Sequence, residues 1–150
     1  DFLCMIIYAK YNHMAYVLDV YYTQDNMSIT EPEAAKRLAE FKVNRAYIES
    51  NSGGRGWGRS VERIMREKYR YYGCYTDLYT QTRNKKARIL SNATAAQKQI
   101  KFPVGWEVNF GDFYRDTMAY QKEGKMAHDD NADTITSVVE HLGRNLFSFE

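Results

Sequence analysis

The amino-acid sequence predicts a mixed α/β fold, in which a sheet is flanked by helices. Two β-rich runs follow each other near the start, at residues 3–8 and 15–22. Further strand-like runs alternate with segments whose apolar residues recur every three or four positions, as they do in amphipathic helices. A chain of 150 residues is long enough for one domain with a substantial core. We therefore interpret residues 1–150 as one domain with strands joined through helices.

The first half of the chain supplies a hairpin, a helix and a strand. Residues 3–8 are apolar on both faces, which is typical of a strand inside a sheet, and the short turn after them predicts antiparallel pairing with residues 15–22. Residues 26–30 are predicted to be a loop. Thr30, with Glu33 three positions later, predicts a helix start. Residues 46–49 then predict a short strand. The apolar residues expected on the buried face of the helix are Ala34, Ala35, Leu38 and Phe41.

The middle of the chain predicts two helices around another strand. A glycine-rich turn at residues 51–56 leads into the first helix, and residues 74–80 are β-rich. Residues 84–100 predict the second helix. The first helix is expected to bury Val61, Ile64, Met65 and Tyr69, and the second Leu90, Ala93, Ala96 and Ile100.

The last third of the chain predicts a loop or short hairpin at residues 101–109 and two helices. Residues 112–121 form the first of these. Residues 128–133 open the second, whose apolar residues form one stripe. Its apolar stripe consists of Ala132, Ile135, Val138, Val139 and Leu142.

Composition and motifs exclude several classes of protein. The net charge of +2, from 21 basic and 19 acidic residues, does not by itself identify a nucleic-acid-binding protein. Cys4 and Cys74 lie far apart outside any CxxC pattern, so we expect a reducing compartment and no zinc site. We expect neither a secretory signal nor a membrane-spanning segment, since the longest apolar run, residues 3–9, is too short to span a bilayer. The glycines fit neither a Walker loop nor a dinucleotide-binding pattern, so the sequence supports neither ATP nor NAD.

The start of the last helix concentrates acidic side chains. Asp129, Asp130 and Asp133 fall within five residues, next to His128. One acid at a helix N-terminus is explained by capping and by the helix dipole. Three acids at these spacings repel one another unless a cation lies between them. The pattern therefore favours a metal site, with simple capping as the alternative.

Glu49 is a second candidate acid, because it ends a predicted strand beside the glycine-rich turn. Ends of strands in α/β sheets project side chains into crevices where sites form. Glycines let the backbone approach a ligand or another strand closely. A solvated glutamate at a strand end is the alternative interpretation.

Basic residues cluster in two places. Arginines recur along one face of the helix after residue 56, at Arg59, Arg63, Arg66 and Arg70, and a second cluster comprises Arg83, Lys85, Lys86 and Arg88. Such rows can contact phosphates. A solvated face is the alternative for the first row, since two glutamates lie among its arginines.

Two of these motifs resemble a known family. Residues 49–56 (ESNSGGRG) and 128–133 (HDDNAD) resemble the second and third acidic motifs of the nuclease domain of phage terminase large subunits. Residues 16–20 and 84–89 also resemble that family. The resemblance covers nearly the whole chain in the expected order. It implies a ribonuclease H-like fold and a metal-dependent endonuclease that cuts double-stranded DNA during genome packaging.

The resemblance also implies the residues of the site. Glu49, Asp130 and Asp133 would be the catalytic metal ligands, with Asp129 and His128 as further candidates. The cofactor would be a pair of Mg²⁺ or Mn²⁺ ions. The partners would be double-stranded DNA and, through the full-length protein, the portal and the small terminase subunit, in the cytoplasm of the infected host cell. The DNA-contacting residues would be Arg55, Arg59, Arg63, Arg66, Lys85 and Lys86.

The sequence departs from the family at two points. The first acidic motif of the family is an aspartate on a strand before the hairpin, and neither Asp1 nor Asp19 is a clear match. We therefore expect that first strand to be missing from this chain, and Mn²⁺ binding and cleavage to be weak. Thr134 stands where the family often has alanine. Two alternatives remain: another ribonuclease H-like nuclease, such as a resolvase or transposase-type enzyme, and a non-catalytic interaction module of a packaging motor with structural acids.

Overall fold

The structure is a computed structural model that describes residues 2–123 and 129–146. The chain divides into two compact units, the first formed by residues 1–24 and 83–150 and the second by residues 25–82. Across the described ranges, no helix combines the length and the apolar character that crossing a membrane requires. The elements in chain order are β1 (Leu3–Tyr11), β2 (Met14–Thr23), α1 (Met27–Glu40), β3 (Arg45–Glu49), a 3₁₀ turn (Asn51–Gly53), α2 (Gly54–Glu67), β4 (Tyr75–Tyr79), α3 (Lys85–Gln99), β5 (Ile100–Lys101), α4 (Trp106–Asn109), α5 (Gly111–Glu123) and α6 (Asp130–Leu146).

The predicted hairpin is confirmed, and its turn explains why it forms. β1 and β2 pair antiparallel and are joined by Asn12 and His13, whose φ angles of 53° and 66° are both positive. A two-residue turn of this kind matches the twist of the two strands. A bulge lies between Ile7 and Tyr8, opposite Leu18. The extra residue in β2 changes which positions of that strand face the core before and after the bulge.

The first unit packs its helices against a small mixed sheet. β5 pairs parallel with β2, which gives the order β1-β2-β5. The apolar stripe predicted for the last helix is confirmed, with Ile135 partly buried and its other members buried. The buried core of this unit consists of Ala15, Val17, Val20, Ile100, Phe113, Val138, Val139 and Leu142.

The stripe predicted for α3 is wrong in its N-terminal half. Leu90 is 79% exposed and Ala93 is also exposed, whereas Arg88 and Ile89 are buried. The helix is turned so that Arg88 faces α6, where its charge is paired. Apolar periodicity assigns an arginine to the solvent side, so the pattern pointed to the wrong face. Residues 101–109, predicted to be a loop or hairpin, contain the end of β5 and the short helix α4.

The second unit combines a parallel strand pair with two helices. β3 and β4 pair parallel from Arg45 opposite Tyr75 to Glu49 opposite Tyr79. α2 contacts these strands closely at Gly58, where an added Cβ atom would lie 2.7 Å from Leu78 Cδ2.

The start of α1 differs from the prediction. Asn26 caps the helix by accepting a hydrogen bond from the Ser28 amide, 3.1 Å away, so residues 27–30 are helical rather than a loop. Thr30 is buried inside the helix, and its hydroxyl accepts a hydrogen bond from Trp57 Nε1 at 3.1 Å. Two capping-type residues compete in this segment, and the earlier one forms the cap. Phe41, predicted to be buried, follows the helix and is 40% exposed.

The mixed α/β class is confirmed. The described strands form two sheets, β1-β2-β5 and β3-β4. The ribonuclease H-like arrangement implied by the resemblance stays a prediction.

Candidate functional site

The acidic start of α6 lies against the first strand of the hairpin. Asp130 is the first residue of the helix, and its Oδ2 atom accepts a hydrogen bond from the Phe2 amide at 3.0 Å. Thr134 Oγ1 lies 3.5 Å from the carbonyl oxygen of Cys4 and donates to the Asp130 carbonyl at 2.9 Å. These contacts hold the acids beside β1. The prediction that the acids open a helix is confirmed.

A lysine of the protein lies between the three acids. Lys85 Nζ is 3.2 Å from Asp129 Oδ1, 3.7 Å from Asp133 Oδ2 and 3.9 Å from Asp130 Oδ1. Burial disfavours the charged ammonium, but the hydrogen bond to Asp129 and the nearby carboxylates outweigh it and raise the pKa of Lys85. The like charges that indicated a bound cation are therefore balanced by a side chain. Lys85 was recognised in the sequence as a member of a basic cluster, but we assigned that cluster to DNA contacts and not to pairing with the acids.

Asp133 is also held from the other side by a buried arginine. Arg88 is 1% exposed, and its Nη1 atom donates to Asp133 Oδ1 at 2.7 Å. Its Nη2 atom donates to Glu140 Oε1 at 2.6 Å and to Ser137 Oγ at 3.2 Å. Burial opposes the charge of Arg88, but hydrogen bonds to Glu140 and Asp133 outweigh it and raise the pKa of the guanidinium. This network joins α3 to α6.

Glu140 is a member of this network that the sequence analysis missed. It also pairs with Arg83, whose Nη1 atom lies 3.5 Å from Glu140 Oε2. Asp133, Ser137 and Glu140 follow at i, i+4 and i+7, which places three polar side chains on one face of α6. This spacing is the sequence pattern from which Glu140 could have been recognised as part of the network.

The α6 acids meet the chemistry of a hard-cation site only in part. Among the described residues, no group of three or more His, Cys, Asp or Glu side chains is arranged to hold a metal ion. The two oxygens of Asp133 face Arg88 and Lys85, respectively. Asp129 and Asp130 are more accessible, and Lys85 is 42% exposed on a flexible stem. In this arrangement the Lys85 ammonium lies where a cation shared by the three acids would be, and Arg88 holds Asp133 from the other side. His128 lies outside the described residues.

Glu49 ends β3 in the second unit, as the sequence predicted. The turn after it is shaped by close packing of the chain on itself. Gly53 has a φ angle of 88°, and a Cβ atom on Gly54 would collide with the carbonyl oxygen of Glu49. Ser50 donates to the Tyr79 carbonyl through both its amide, at 2.7 Å, and its hydroxyl, at 2.9 Å. The close approach of the Glu49 carbonyl therefore explains why a glycine is needed at position 54, without a ligand.

Glu49 and the α6 acids belong to different units. That their carboxylates converge on one site stays a prediction.

The arginines of α2 separate into paired and unpaired side chains. Arg63 pairs with Glu67 at 3.5 Å, and Arg66 pairs with Glu62 at 3.4 Å. Within the described parts of the chain, Arg55 and Arg59 have no carboxylate at ion-pair distance, and both are exposed. The row predicted to continue to Arg70 is interrupted, because α2 ends at Glu67. In the first unit, Lys86 is exposed.

Comparison with models of known protein families and with curated proteins found no match.

Proposed function

We propose that this chain is a divalent-metal-dependent DNA endonuclease domain, of the kind found in phage terminase large subunits, with a ribonuclease H-like fold. The observation that carries the proposal is the cluster of three carboxylates at the N-terminus of α6, beside β1. The sequence resemblance of residues 49–56 and 128–133 supplies the reaction class. Double-stranded DNA would be cut during genome packaging in the host cytoplasm, and the full-length protein would contact the portal and the small terminase subunit.

The hairpin β1-β2 supports this proposal, because the resemblance places such a hairpin directly after the strand that carries the first acidic motif. The parallel pair β3-β4 forms a sheet of its own among the described strands. Within the described residues, β1 pairs with a strand on one side only. A further strand carrying the first acidic motif could add at that edge.

The protein side chains have distinct roles in the proposed site. Asp129 and Asp130 would supply oxygen ligands, and Arg88 would fix the orientation of Asp133. Glu49 would contribute a further carboxylate. Two cations about 3.5–4 Å apart, when bound, would supply an activated water and neutralise the leaving oxygen. Lys85, released from the acids, would face the DNA phosphates together with Lys86.

The assay is Mn²⁺-dependent nicking of supercoiled plasmid, and Asp130→Asn is the test variant. Asp133 is less suitable, because changing it would also leave the buried Arg88 without a partner. Asp112→Asn is the matched control, since Asp112 lies in the first turn of α5, is 69% exposed and pairs only with the exposed Arg115 among the described side chains.

We expect weak Mn²⁺-dependent nicking that Asp130→Asn abolishes and Asp112→Asn leaves intact. A chain extended upstream by a strand carrying an aspartate should cut faster. Absence of nicking by both the short and the extended chain, or nicking by Asp130→Asn at the wild-type rate, would count against a nuclease.

A non-catalytic interaction module is the second candidate function. The observation that favours it is the pairing of the α6 acids with Lys85 and Arg88, which accounts for their charge without a metal. Such a module has no reason to bind Mn²⁺. Isothermal titration of Mn²⁺ into the intact chain separates the two candidates, since only the nuclease predicts binding that Asp130→Asn removes.

A further inference from the structure

The apolar face of α6 begins with a buried asparagine. Asn131 is 0% exposed, and the residues that follow it at i+4, i+7 and i+11 belong to the apolar stripe of the helix. These residues are Ile135, Val138 and Leu142, of which the last two are buried. Asn131 therefore takes a position at which α6 would otherwise bury an apolar side chain.

The side chain of Asn131 bonds to another helix. Its Nδ2 atom donates to Thr117 Oγ1 on α5 at 3.0 Å, and Thr117 is itself only 6% exposed. The Oδ1 atom of Asn131 is buried and has no hydrogen-bond partner among the described residues. A buried amide with one end unpaired is less stable than an apolar side chain of similar shape. Stability alone therefore does not explain an asparagine at this position.

Thr136 is a second buried polar residue of α6, but it bonds within its own helix. It is 3% exposed, and its hydroxyl donates to the Ala132 carbonyl at 2.8 Å. A bond inside one helix keeps its length wherever that helix lies. The bond from Asn131 to Thr117 joins two helices, so it is made only when α6 has one particular position on α5.

Apolar contacts restrict that position less tightly. Phe113 of α5 belongs to the same core cluster as Val138 and Leu142. Such contacts are not directional, so a small rotation or slide of α6 would keep most of the buried area. A hydrogen bond weakens steeply when its distance and angle change. One buried polar residue in an apolar contact between helices can therefore fix their register, at a cost in stability.

The acids of the candidate site lie on either side of Asn131 in the chain. Asp130 precedes it directly, and Asp129 and Asp133 are two positions away. Asp130 Oδ2 accepts a hydrogen bond from the Phe2 amide at 3.0 Å, a distance that changes when the start of the helix moves. The position that Asn131 fixes is therefore also the position of the acids beside β1.

We propose that Asn131 is a positioning residue of the acidic site, which fixes the start of α6 on α5 and so holds Asp130 where a divalent cation would bind. The inference rests on the proposed function, because it takes the acids to be metal ligands. Asn131 would act through Asp130 rather than touch the cation. Its replacement by an apolar residue should therefore lower the metal affinity without lowering the stability.

The test variant is Asn131→Leu combined with Thr117→Val, which replaces the polar pair by an apolar pair of similar shape. Thermal melting should give a Tm equal to or above that of the wild type, because no buried polar group is left unpaired. Titration calorimetry should give an affinity for Mn²⁺ at least about tenfold weaker, because the carboxylates are no longer held in place. Thr117→Ser keeps a hydroxyl for Asn131 and should retain the wild-type affinity.

Hydrogen exchange of the Phe2 amide reports the position of Asp130 without a metal. This amide donates to Asp130, so Asp130→Ala gives its exchange rate in the absence of the acceptor. In the double variant, exchange measured by NMR should be at least about fivefold faster than in the wild type, because this hydrogen bond is weakened. Thr136→Val is the matched control from the same helix, and it should change neither the exchange nor the affinity for Mn²⁺ by more than about twofold.

Three results would overturn the inference. They are wild-type affinity for Mn²⁺ or wild-type Phe2 exchange in the double variant, a double variant that is unfolded or melts below the wild type, and an equal loss of affinity in Thr136→Val. The second result would identify the pair as a stabilising contact only. Failure of the proposed function is seen separately, as absence of Mn²⁺ binding by the wild type. Exchange of the Phe2 amide then decides alone whether Asn131 positions Asp130.

Discussion

Arg88 is the buried charge that joins α3 to α6, and replacing it with methionine should strongly destabilise the first unit. Methionine keeps much of the apolar volume but leaves Asp133 and Glu140 without the guanidinium that both contact. Removing one partner of a buried ion pair costs about 3–5 kcal/mol, because a charge stays buried without compensation. Asp133 and Glu140 are 15% and 16% exposed, so water reaches them in part. We therefore expect a loss at the lower end, about 3 kcal/mol.

The assay is urea unfolding followed by tryptophan fluorescence. The chain has two tryptophans, Trp57 in the second unit and Trp106 in the first. In a Trp57→Phe background, emission comes from Trp106, whose ring stacks on Phe102 at a centroid distance of 4.1 Å. The loss of free energy should correspond to a lowering of Tm by roughly 6–12 °C for a chain of this size.

Two further variants show whether charge is the cause. Arg63→Met removes an arginine from an exposed i, i+4 pair and should cost less than about 0.5 kcal/mol. Adding Asp133→Asn and Glu140→Gln to Arg88→Met should recover part of the stability, because no charge is then left buried. A loss below about 1 kcal/mol for Arg88→Met, or a triple variant no better than the single one, would refute the reasoning.

Three other predictions follow from the packing and the charges. Gly54→Ala should lower the free energy of unfolding by about 1–3 kcal/mol, because its Cβ atom would collide with the Glu49 carbonyl. Gly56 has open space around it, so Gly56→Ala should raise the free energy of unfolding by about 0.4–1 kcal/mol. Urea unfolding compares the two variants. Burial, with a smaller effect of the Glu62 charge, raises the pKa of the Cys74 thiol from 9.0 to about 11, so the folded chain keeps this proton while the unfolded chain loses it. The folded chain should therefore lose stability as pH rises from about 9 to about 11, and Cys74→Ala should lose less. Thermal melts at about pH 8 and about pH 10 measure this loss in both chains. Equal losses in the wild type and Cys74→Ala would contradict the prediction. Lys85→Met should raise the affinity for Mn²⁺ about tenfold, because it removes the ammonium between the acids. Lys86→Met is the control and should leave that affinity unchanged. Titration calorimetry measures both, and an unchanged affinity in Lys85→Met would show that the lysine does not compete with the metal.

Local patterns predicted the elements whose burial follows from apolar spacing. The hairpin β1-β2 was predicted because both runs are β-rich and a short turn separates them, and the structure adds the bulge opposite Leu18. The stripe of α6 was predicted because its apolar residues recur with helical spacing and no charged residue interrupts the buried face.

Two of the incorrect predictions, the buried face of α3 and the start of α1, share a physical cause, which is tertiary pairing of polar groups. The buried face of α3 contains Arg88, whose burial depends on two acids about 50 residues further along the chain. The helix start at Asn26 rather than Thr30 depends on which residue is exposed enough to cap and which is buried against Trp57. Neither partner is visible within a local window of sequence.

The acidic residues of the candidate site could be predicted from the sequence, but the basic side chain that lies between them could not. Asp129, Asp130 and Asp133 were recognised from their density at a helix start, and the structure gathers them around one point. That the point is occupied by the Lys85 ammonium could not be read from spacing, because Lys85 approaches from another helix. The same limit applies to Glu49, whose predicted convergence with these acids depends on tertiary structure.

The proposed function predicts that Glu49 and Asp130 are each needed for binding of divalent cations. Isothermal titration of Mn²⁺ into the wild-type chain, Glu49→Gln and Asp130→Asn tests it most directly, with Asp112→Asn as the control. We predict weak binding by the wild type and the control, and at least about tenfold weaker binding by each of the other two variants, because each loses one carboxylate ligand. Absence of Mn²⁺ binding by the wild type, or wild-type affinity in Glu49→Gln, would contradict the claim.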